Sequence, residues 1–178
     1  VLETEGLSDI ELTNPTGFLV DCFHDFEATA DMVVLGRRGE AAEFASGHLG
    51  ANLDRIVRSS SKPCLVTPTT FTPIERILLA YDGSQAGKRI LQFLIDHAAG
   101  LKGIEIHLLT VAKSDGESDR NRRLTGALTQ AESKLQAADF TTTTSLLTGQ
   151  PEDVITQYIK QQNINLLMMG AYGHRRIR

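Results

Sequence analysis

The amino-acid sequence predicts an α/β fold in which a parallel sheet is doubly wound by helices. Short apolar runs alternate with amphipathic helical patterns along the chain, and this alternation is typical of parallel sheets. Residues 32–35, Met-Val-Val-Leu, show no polar alternation, which indicates a strand buried on both faces. A similar run at 164–169 occurs near the other end of the chain, and a Gly-x-x-Gly segment follows each run. One strand-and-loop unit is therefore expected twice.

The repeat has a constant spacing. Gly36 and Gly39 recur as Gly170 and Gly173, 134 residues later, and Val20 recurs as Val154 in the helix that precedes each strand. Glycine suits positions where the backbone must turn sharply or approach a ligand closely. The pattern predicts a binding loop at the carboxyl edge of a parallel sheet, although glycines that serve only tight turns are the alternative.

The first part of the chain is predicted to end at a linker, because Pro68-Thr-Thr-Phe-Thr-Pro73 is rich in proline and hydroxyl residues. The helix that opens at Gly50-Ala51 exposes unpaired backbone N–H groups, which could hold a phosphate. In order, the patterns before the linker predict a strand at 8–12, a helix at 16–28, a strand at 31–35, a glycine-punctuated loop at 36–50, a helix at 52–58 and a strand at 62–67.

The second part follows the same alternation. A buried strand runs into Tyr81-Asp82-Gly83-Ser84, where Ser84 is predicted to cap a helix. The patterns place strands at 77–80, 104–111, 140–147 and 164–169, helices at 85–98, 124–138 and 151–159, and a loop with a frayed helix start at 113–121. The predicted domains are therefore residues 1–70 and 71–178.

Composition excludes several classes of function. The chain has 178 residues, 41% of them hydrophobic and 22% charged, with a formal net charge of −4, which argues against a nucleic-acid partner. No apolar run approaches the ~20 residues that cross a bilayer, so no membrane association and a cytoplasmic location are expected. Cys22 and Cys64 are expected to be reduced thiols. The five histidines show no metal-ligand spacing, and no nucleophile–base order indicates dedicated catalysis.

With Tyr81-Asp82-Gly83-Ser84 and the two Gly-x-x-Gly segments, the chain resembles the universal stress protein family, in its tandem two-domain type. The resemblance implies a doubly wound parallel five-stranded sheet of the adenine nucleotide alpha hydrolase-like type, in the strand order 3-2-1-4-5. Many members bind ATP through Gly-x2-Gly-x9-Gly-Ser/Thr after strand 4. In the first repeat ten residues, not nine, separate Gly39 from Gly50, and Ala51 stands in place of the hydroxyl residue. The second repeat stops at Arg178 before a third glycine.

The resemblance also implies a set of ligand-contacting residues. Asp82 at the end of strand 1 would contact the ribose, and Val111 and Met169 would line the adenine. Without the resemblance, Asp82 could merely shape the turn from strand to helix. The nucleotide is expected mainly in the second repeat, and Mg²⁺ is a cofactor that could accompany it. The residues expected to bind it are Ala80, Tyr81, Asp82, Gly83, Ser84, Val111, Met169, Gly170 and Gly173, with Gly36, Gly39 and Gly50 in the first repeat.

By the same resemblance, residues 1–70 correspond to strands 3 to 5 of a first domain, and residues 71–178 to a second domain that lacks its last helix and strand. Two interpretations are open. The chain could omit residues of a longer protein, or the strand at 31–35 or 62–67 could complete the second domain in a permuted sheet. The strand at 62–67 would be the contact in a homodimer or an internal pseudo-dimer.

Three functions follow as hypotheses. The leading one is a cytoplasmic stress-response protein that binds ATP or another adenine nucleotide as a regulatory ligand. The alternatives are a nucleotide-free dimerisation module, which Ala51 favours, and a slow ATPase.

Overall fold

The computed structural model describes residues 10–36, 51–112 and 118–170, and it separates into two compact units, Val1–Thr70 and Phe71–Arg178. Each unit alternates helices with strands. The first contains α1 (Leu19–Glu27), β1 (Val33–Gly36), α2 (Ala51–Ser59) and β2 (Cys64–Thr67). The second contains β3 (Arg76–Ala80), α3 (Gln85–Asp96), a 3₁₀ turn (Ala98–Leu101), β4 (Glu105–Ala112), α4 (Ser118–Ala137), β5 (Thr141–Thr148), α5 (Pro151–Gln161) and β6 (Leu166–Met168).

The described strands of the second unit form a parallel sheet in the order β5-β4-β3-β6. Leu78 of β3 pairs with His107 of β4 on one side and with Leu167 of β6 on the other. This order corresponds to positions 3-2-1-4 of the predicted sheet. The expected α/β fold with a parallel sheet is therefore confirmed.

Helices cover both faces of this sheet. Ile77, Leu79 and the α3 side chains Leu91 and Leu94 belong to one core cluster, to which α4 adds Leu135. On the opposite face Leu78 and Leu109 pack with Tyr158 of α5. Because its side chains are enclosed from both sides, β3 is buried in its three middle residues. This arrangement is the doubly wound one that the sequence predicts.

The first unit has a parallel pair of strands among its described residues, with Val34 opposite Leu65. Leu53 and Ile56 of α2 are its buried apolar residues in the described part. Cys22 and Cys64 are both free thiols, as the sequence predicts.

Two expectations for the first unit are wrong. No strand forms at residues 10–12 of the predicted strand 8–12, where Leu12 is 90% exposed; residues 8 and 9 lie outside the described part. Strand β1 is not buried on both faces either, because Val33 and Leu35 are half-buried while Val34 is 61% exposed. A parallel pair of strands packed on one side buries alternate residues, so the apolar run overstates the burial of β1.

Helix α4 begins at Ser118, six residues before the predicted start at Leu124. The apolar periodicity starts only at Leu124 because the first turns present polar side chains to solvent, where Arg122 pairs with Asp119 at 3.2 Å. The frayed helix start expected within the loop at 113–121 is therefore regular helix from Ser118 onwards. Residues 113–117 lie outside the described part.

A buried carboxylate joins α1 to the segment between α2 and β2. Glu27 is 5% exposed and accepts hydrogen bonds from the Ser60 hydroxyl and from the backbone N–H groups of Ser61 (2.8 Å) and Lys62 (3.2 Å). The Ser60 hydrogen bond, with the two backbone donors and His24, lowers the pKa of Glu27 to about 2. Ionised Glu27 therefore holds in place the segment that leads into β2.

Candidate functional site

The carboxyl ends of β3, β4 and β6 lie at one edge of the second unit's sheet. From β3 the chain moves to β4 and β5 on one side, and it then returns to place β6 on the other side of β3. Ligands of open α/β sheets bind where the strand order reverses in this way. The crevice beyond the ends of β3 and β6 is therefore the candidate site.

Tyr81, which directly follows β3, is fixed through its backbone. Its N–H donates to the carbonyl oxygen of Leu109 at 2.8 Å, and its own carbonyl oxygen accepts from the buried Thr110 hydroxyl at 2.6 Å. Burial raises the pKa of the Tyr81 phenol, and the charge of Asp82 adds to this effect. The last residue before the candidate loop is thus held rigidly against β4.

The Asp82–Ser84 segment forms a turn that starts α3. Asp82 Oδ1 accepts from the Ser84 N–H at 2.9 Å, and the Ser84 hydroxyl oxygen accepts from the Gly87 N–H at 3.2 Å, so Ser84 caps the helix as predicted. Gly83 adopts φ +74°, which favours glycine. Asp82 therefore shapes the turn through its Oδ1 atom. Its side chain is exposed, and Oδ2 has no hydrogen bond to any residue in the described ranges.

Gly170 brings the segment after β6 against the first turn of α3. A Cβ atom on Gly170 would lie 2.9 Å from the Cβ of Ala86, closer than side chains pack, so only glycine fits without a shift. A Cβ on Gly87 would lie 3.1 Å from the Tyr81 ring and 3.4 Å from Asp82 Oδ1. Ala86 and Gly87 were not among the predicted site residues. Their small size beside Ser84 is the sequence signal that could have identified them.

The structure brings some predicted residues together and separates others. Tyr81 and Asp82 lie beside Gly87, and Gly170 lies beside Ala86, so both segments adjoin the first turn of α3. Ala80 is the last residue of β3, and Met169 immediately precedes Gly170. Val111 packs with the cluster beneath α5. Gly36 ends β1 in the first unit, and Ala51 is the first residue of α2. Gly39, Gly50 and Gly173 lie outside the described residues.

A polar network on the α5 face of the sheet was not predicted. Buried His107 directs Nδ1 to the Tyr158 hydroxyl at 3.0 Å, and its Nε2 lies 3.3 Å from Glu105 Oε1. Glu105 accepts hydrogen bonds from the Thr143 hydroxyl at 3.0 Å and from Arg76 Nε at 3.3 Å. The Thr143 hydrogen bond is the main cause that lowers the pKa of Glu105, with smaller effects of His107 and Arg76. The spacing Glu105-x-His107 within an apolar strand is its sequence signal.

Within the described ranges, no group of three or more His, Cys, Asp or Glu residues could hold a metal ion. Among the helices that the structure describes, none combines the length and the hydropathy that a membrane-spanning helix needs.

A family profile and a curated relative both relate the chain to the same protein family. The sequence profile described as the universal stress protein family matches residues 73–178. Universal stress protein Slr1230 of Synechocystis sp. (strain PCC 6803) is 43% identical over 177 residues, which cover 99% of this chain and 60% of Slr1230. The chain therefore spans about 60% of the length of the curated relative that it matches.

Solved structures resemble the chain at lower identity. A universal stress protein from Archaeoglobus fulgidus DSM 4304 has a TM-score of 0.65 at 21% identity, covering 85% of this chain and 54% of that chain. A family protein from Arabidopsis thaliana, solved with AMP bound, has a TM-score of 0.45 at 21% identity, covering 55% of this chain and 76% of that chain. The first of these shows a shared fold.

Proposed function

The chain belongs to the universal stress protein family, and from that premise we propose that its second unit binds an adenine nucleotide, primarily ATP, as a regulatory ligand. One observation carries the proposal: at the point where the strand order reverses, the Asp82 turn and Gly170 meet on the first turn of α3. This is the position at which open α/β sheets bind nucleotides.

The chemistry of this edge supports a ribose contact. A carboxylate accepts hydrogen bonds from vicinal hydroxyls, and Asp82 presents an exposed carboxylate whose Oδ1 is already oriented by the Ser84 N–H. The bonds of Tyr81 to Leu109 and Thr110 hold the preceding backbone, so the carboxylate is placed before the ligand arrives. Such preorganisation lowers the entropy cost of binding. Met169 and Val111 would lie beside the base, and Gly170 and Gly173 would approach the phosphates.

We also propose that the two units are partial copies of a tandem arrangement in a cytoplasmic protein. Helix α1 ends at Glu27 and α5 ends at Gln161, 134 residues later, the same spacing that separates Gly36 from Gly170. In the first unit Ala51 replaces the expected hydroxyl, so the loop with Gly36, Gly39 and Gly50 would contribute little to nucleotide binding. Regulation would require that the nucleotide bind one conformation more tightly than another.

The test is isothermal titration calorimetry of ATP, AMP and adenosine with the 178-residue chain. Asp82→Ala should weaken binding of all three by roughly 1 to 3 kcal/mol, since it removes the ribose acceptor. Asp82→Asn keeps an oxygen that can accept from Ser84, so it separates loss of the carboxylate from loss of the turn. Asp96→Ala, at the other end of α3, where Asp96 accepts from Gln92 at 2.8 Å, is the matched control.

Gly36→Val tests the assignment to the second unit and should weaken ATP binding much less than Asp82→Ala. Equal losses in these two variants would contradict that assignment. A chain that binds none of the three ligands with intact circular dichroism would favour the second candidate, a nucleotide-free interaction module, for which Ala51 is the observation. Release of phosphate from ATP by the purified chain would instead indicate a slow ATPase.

A further inference from the structure

Among the strands that the structure describes, β5 forms an edge of the second unit's sheet. It pairs with β4 along its whole length, from Thr141 opposite Glu105 to Thr148 opposite Ala112. The N–H of Gly149 donates to the carbonyl oxygen of Ala112 at 3.1 Å, which fixes the direction of the backbone groups in this strand. Because N–H and C=O groups point alternately to the two sides of a strand, those of Thr142, Thr144, Leu146 and Thr148 point away from β4. None of these outward groups has a backbone partner in the described ranges.

The β5 edge lacks the residues that normally prevent an edge strand from pairing with another chain. Its eight residues, Thr-Thr-Thr-Thr-Ser-Leu-Leu-Thr, include no charged residue, no proline and no glycine. Natural edge strands usually carry a lysine, a proline or a bulge. The successive residues Leu146 and Leu147 are each 40% exposed, and their side chains project from opposite faces of the sheet. This edge can therefore accept a further strand without burying a charge.

We infer that β5 pairs antiparallel with β5 of a second copy of the chain, joining the sheets of the two second units across a two-fold axis. The composition of the strand favours this occupant. A two-fold axis places the same segment opposite itself, so a charged edge would repel its copy, whereas this one has no charge to oppose.

An axis through Ser145 matches the outward backbone groups. It places Thr144 opposite Leu146 of the second copy and Thr142 opposite Thr148, and all four carry outward N–H and C=O groups that can form a ladder. Cross-strand threonine pairs and the shielding of Leu146 and Leu147 add to the backbone bonds. This surface is distinct from the strand at 62–67, the contact that the family resemblance implies.

The test is sedimentation equilibrium of the 178-residue chain with three single variants. Leu146→Lys places a charge on the edge and should raise the dissociation constant of the dimer about tenfold or more. Ile74→Lys is the matched control, because Ile74 is also 40% exposed but lies outside the strands, and it should leave the constant unchanged. Leu65→Lys reports on the alternative contact and should also leave it unchanged.

Amide exchange measured by NMR gives a second readout that needs no variant. The amides of Thr142, Thr144, Leu146 and Thr148 should gain protection as the protein concentration rises. Those of Thr143, Ser145 and Leu147 already face β4 and should change little. A chain that is monomeric at all concentrations, or a dimer that Leu65→Lys dissociates while Leu146→Lys does not, would overturn the inference. Protection that appears only when another protein is added would assign the edge to a different partner and would also overturn it.

Discussion

The side-chain hydroxyl of Thr110 donates a 2.6 Å hydrogen bond to the backbone carbonyl oxygen of Tyr81. Thr110 is 1% exposed and lies near the end of β4, so this bond joins two neighbouring strands at the point where β3 becomes the candidate loop. The position of Asp82 therefore depends on a residue that does not line the crevice itself.

Replacing Thr110 by Val should destabilise the second unit by about 1 to 3 kcal/mol, because the carbonyl of Tyr81 loses its donor in a buried setting. Urea denaturation followed by circular dichroism measures this change. Thr129→Val is the control, since the exposed Thr129 hydroxyl donates to the Thr125 carbonyl at 3.1 Å and its loss should cost less than about 0.5 kcal/mol. Similar losses in the two variants would show that burial of the Thr110 bond contributes nothing.

Gly170→Ala should destabilise the chain by about 1 to 3 kcal/mol, because its Cβ would lie 2.9 Å from the Cβ of Ala86. Ala86→Gly removes the opposing methyl group, so the double variant should recover most of the loss beyond the helix penalty of glycine. A thermodynamic cycle from denaturation curves of the four proteins measures the coupling. Additive effects would mean that the two residues are not in contact.

The stability of the first unit should depend on acid through Glu27. Its pKa is about 2 in the folded chain and 4.5 in the absence of the fold, so its contribution is complete above pH 4.5 and is lost as the pH falls towards 2. Glu27→Gln should therefore be less stable than the unmodified chain at neutral pH, and the difference should shrink in that acid range.

Hydrogen exchange of the Ser61 and Lys62 amides, which donate to Glu27, gives the local measurement for this prediction. Asp25→Asn, an exposed change on the same helix, serves as the control. A difference between Glu27→Gln and the unmodified chain that stays constant from pH 6 to pH 2 would refute the role of the carboxylate.

Tyr158→Phe should cost about 1 to 3 kcal/mol, because it leaves Nδ1 of buried His107 without the hydroxyl at 3.0 Å. Ser145→Ala should cost less, since its hydroxyl lies 3.3 Å from that of Tyr158 and is only half-buried. Thermal unfolding of the two variants measures both effects. A larger loss in Ser145→Ala would place the main anchor of α5 on β5 instead of β4.

The sequence was sufficient for the positions of the strands along the chain and for the turn after β3, because these depend on local signals. The order of the strands within the sheet was implied by the family resemblance and not by such signals. Ile77 to Ala80 is an apolar run, Ser84 is a strong helix cap, and Gly83 satisfies a positive φ, each recognisable without any tertiary contact. The burial of Val34 could not be predicted in this way, because the same residues suit a half-buried strand and a fully buried one.

The contacts at the candidate site and in the polar network on the α5 face could not be predicted from the sequence, because they join positions far apart in the chain. Nothing near Ala86 shows that Gly170 packs against it, and nothing near His107 shows that Tyr158 supplies its partner. The start of α4 could be expected only as a frayed helix start for a different reason, since its first turns face solvent and carry no apolar period.

The position of β3 between β4 and β6 has a consequence for the order of folding. Arg76 of β3 meets Glu105 of β4 across 29 residues, but it meets Asn165, just before β6, across 89 residues. Closing the longer loop costs about 1 kcal/mol more in chain entropy. We therefore expect β3 and β4 to pair first and β6 to join a sheet that already exists. Since Gly170 follows β6, we expect the candidate binding edge to be completed by the last of the described strands to join, after the other three have paired.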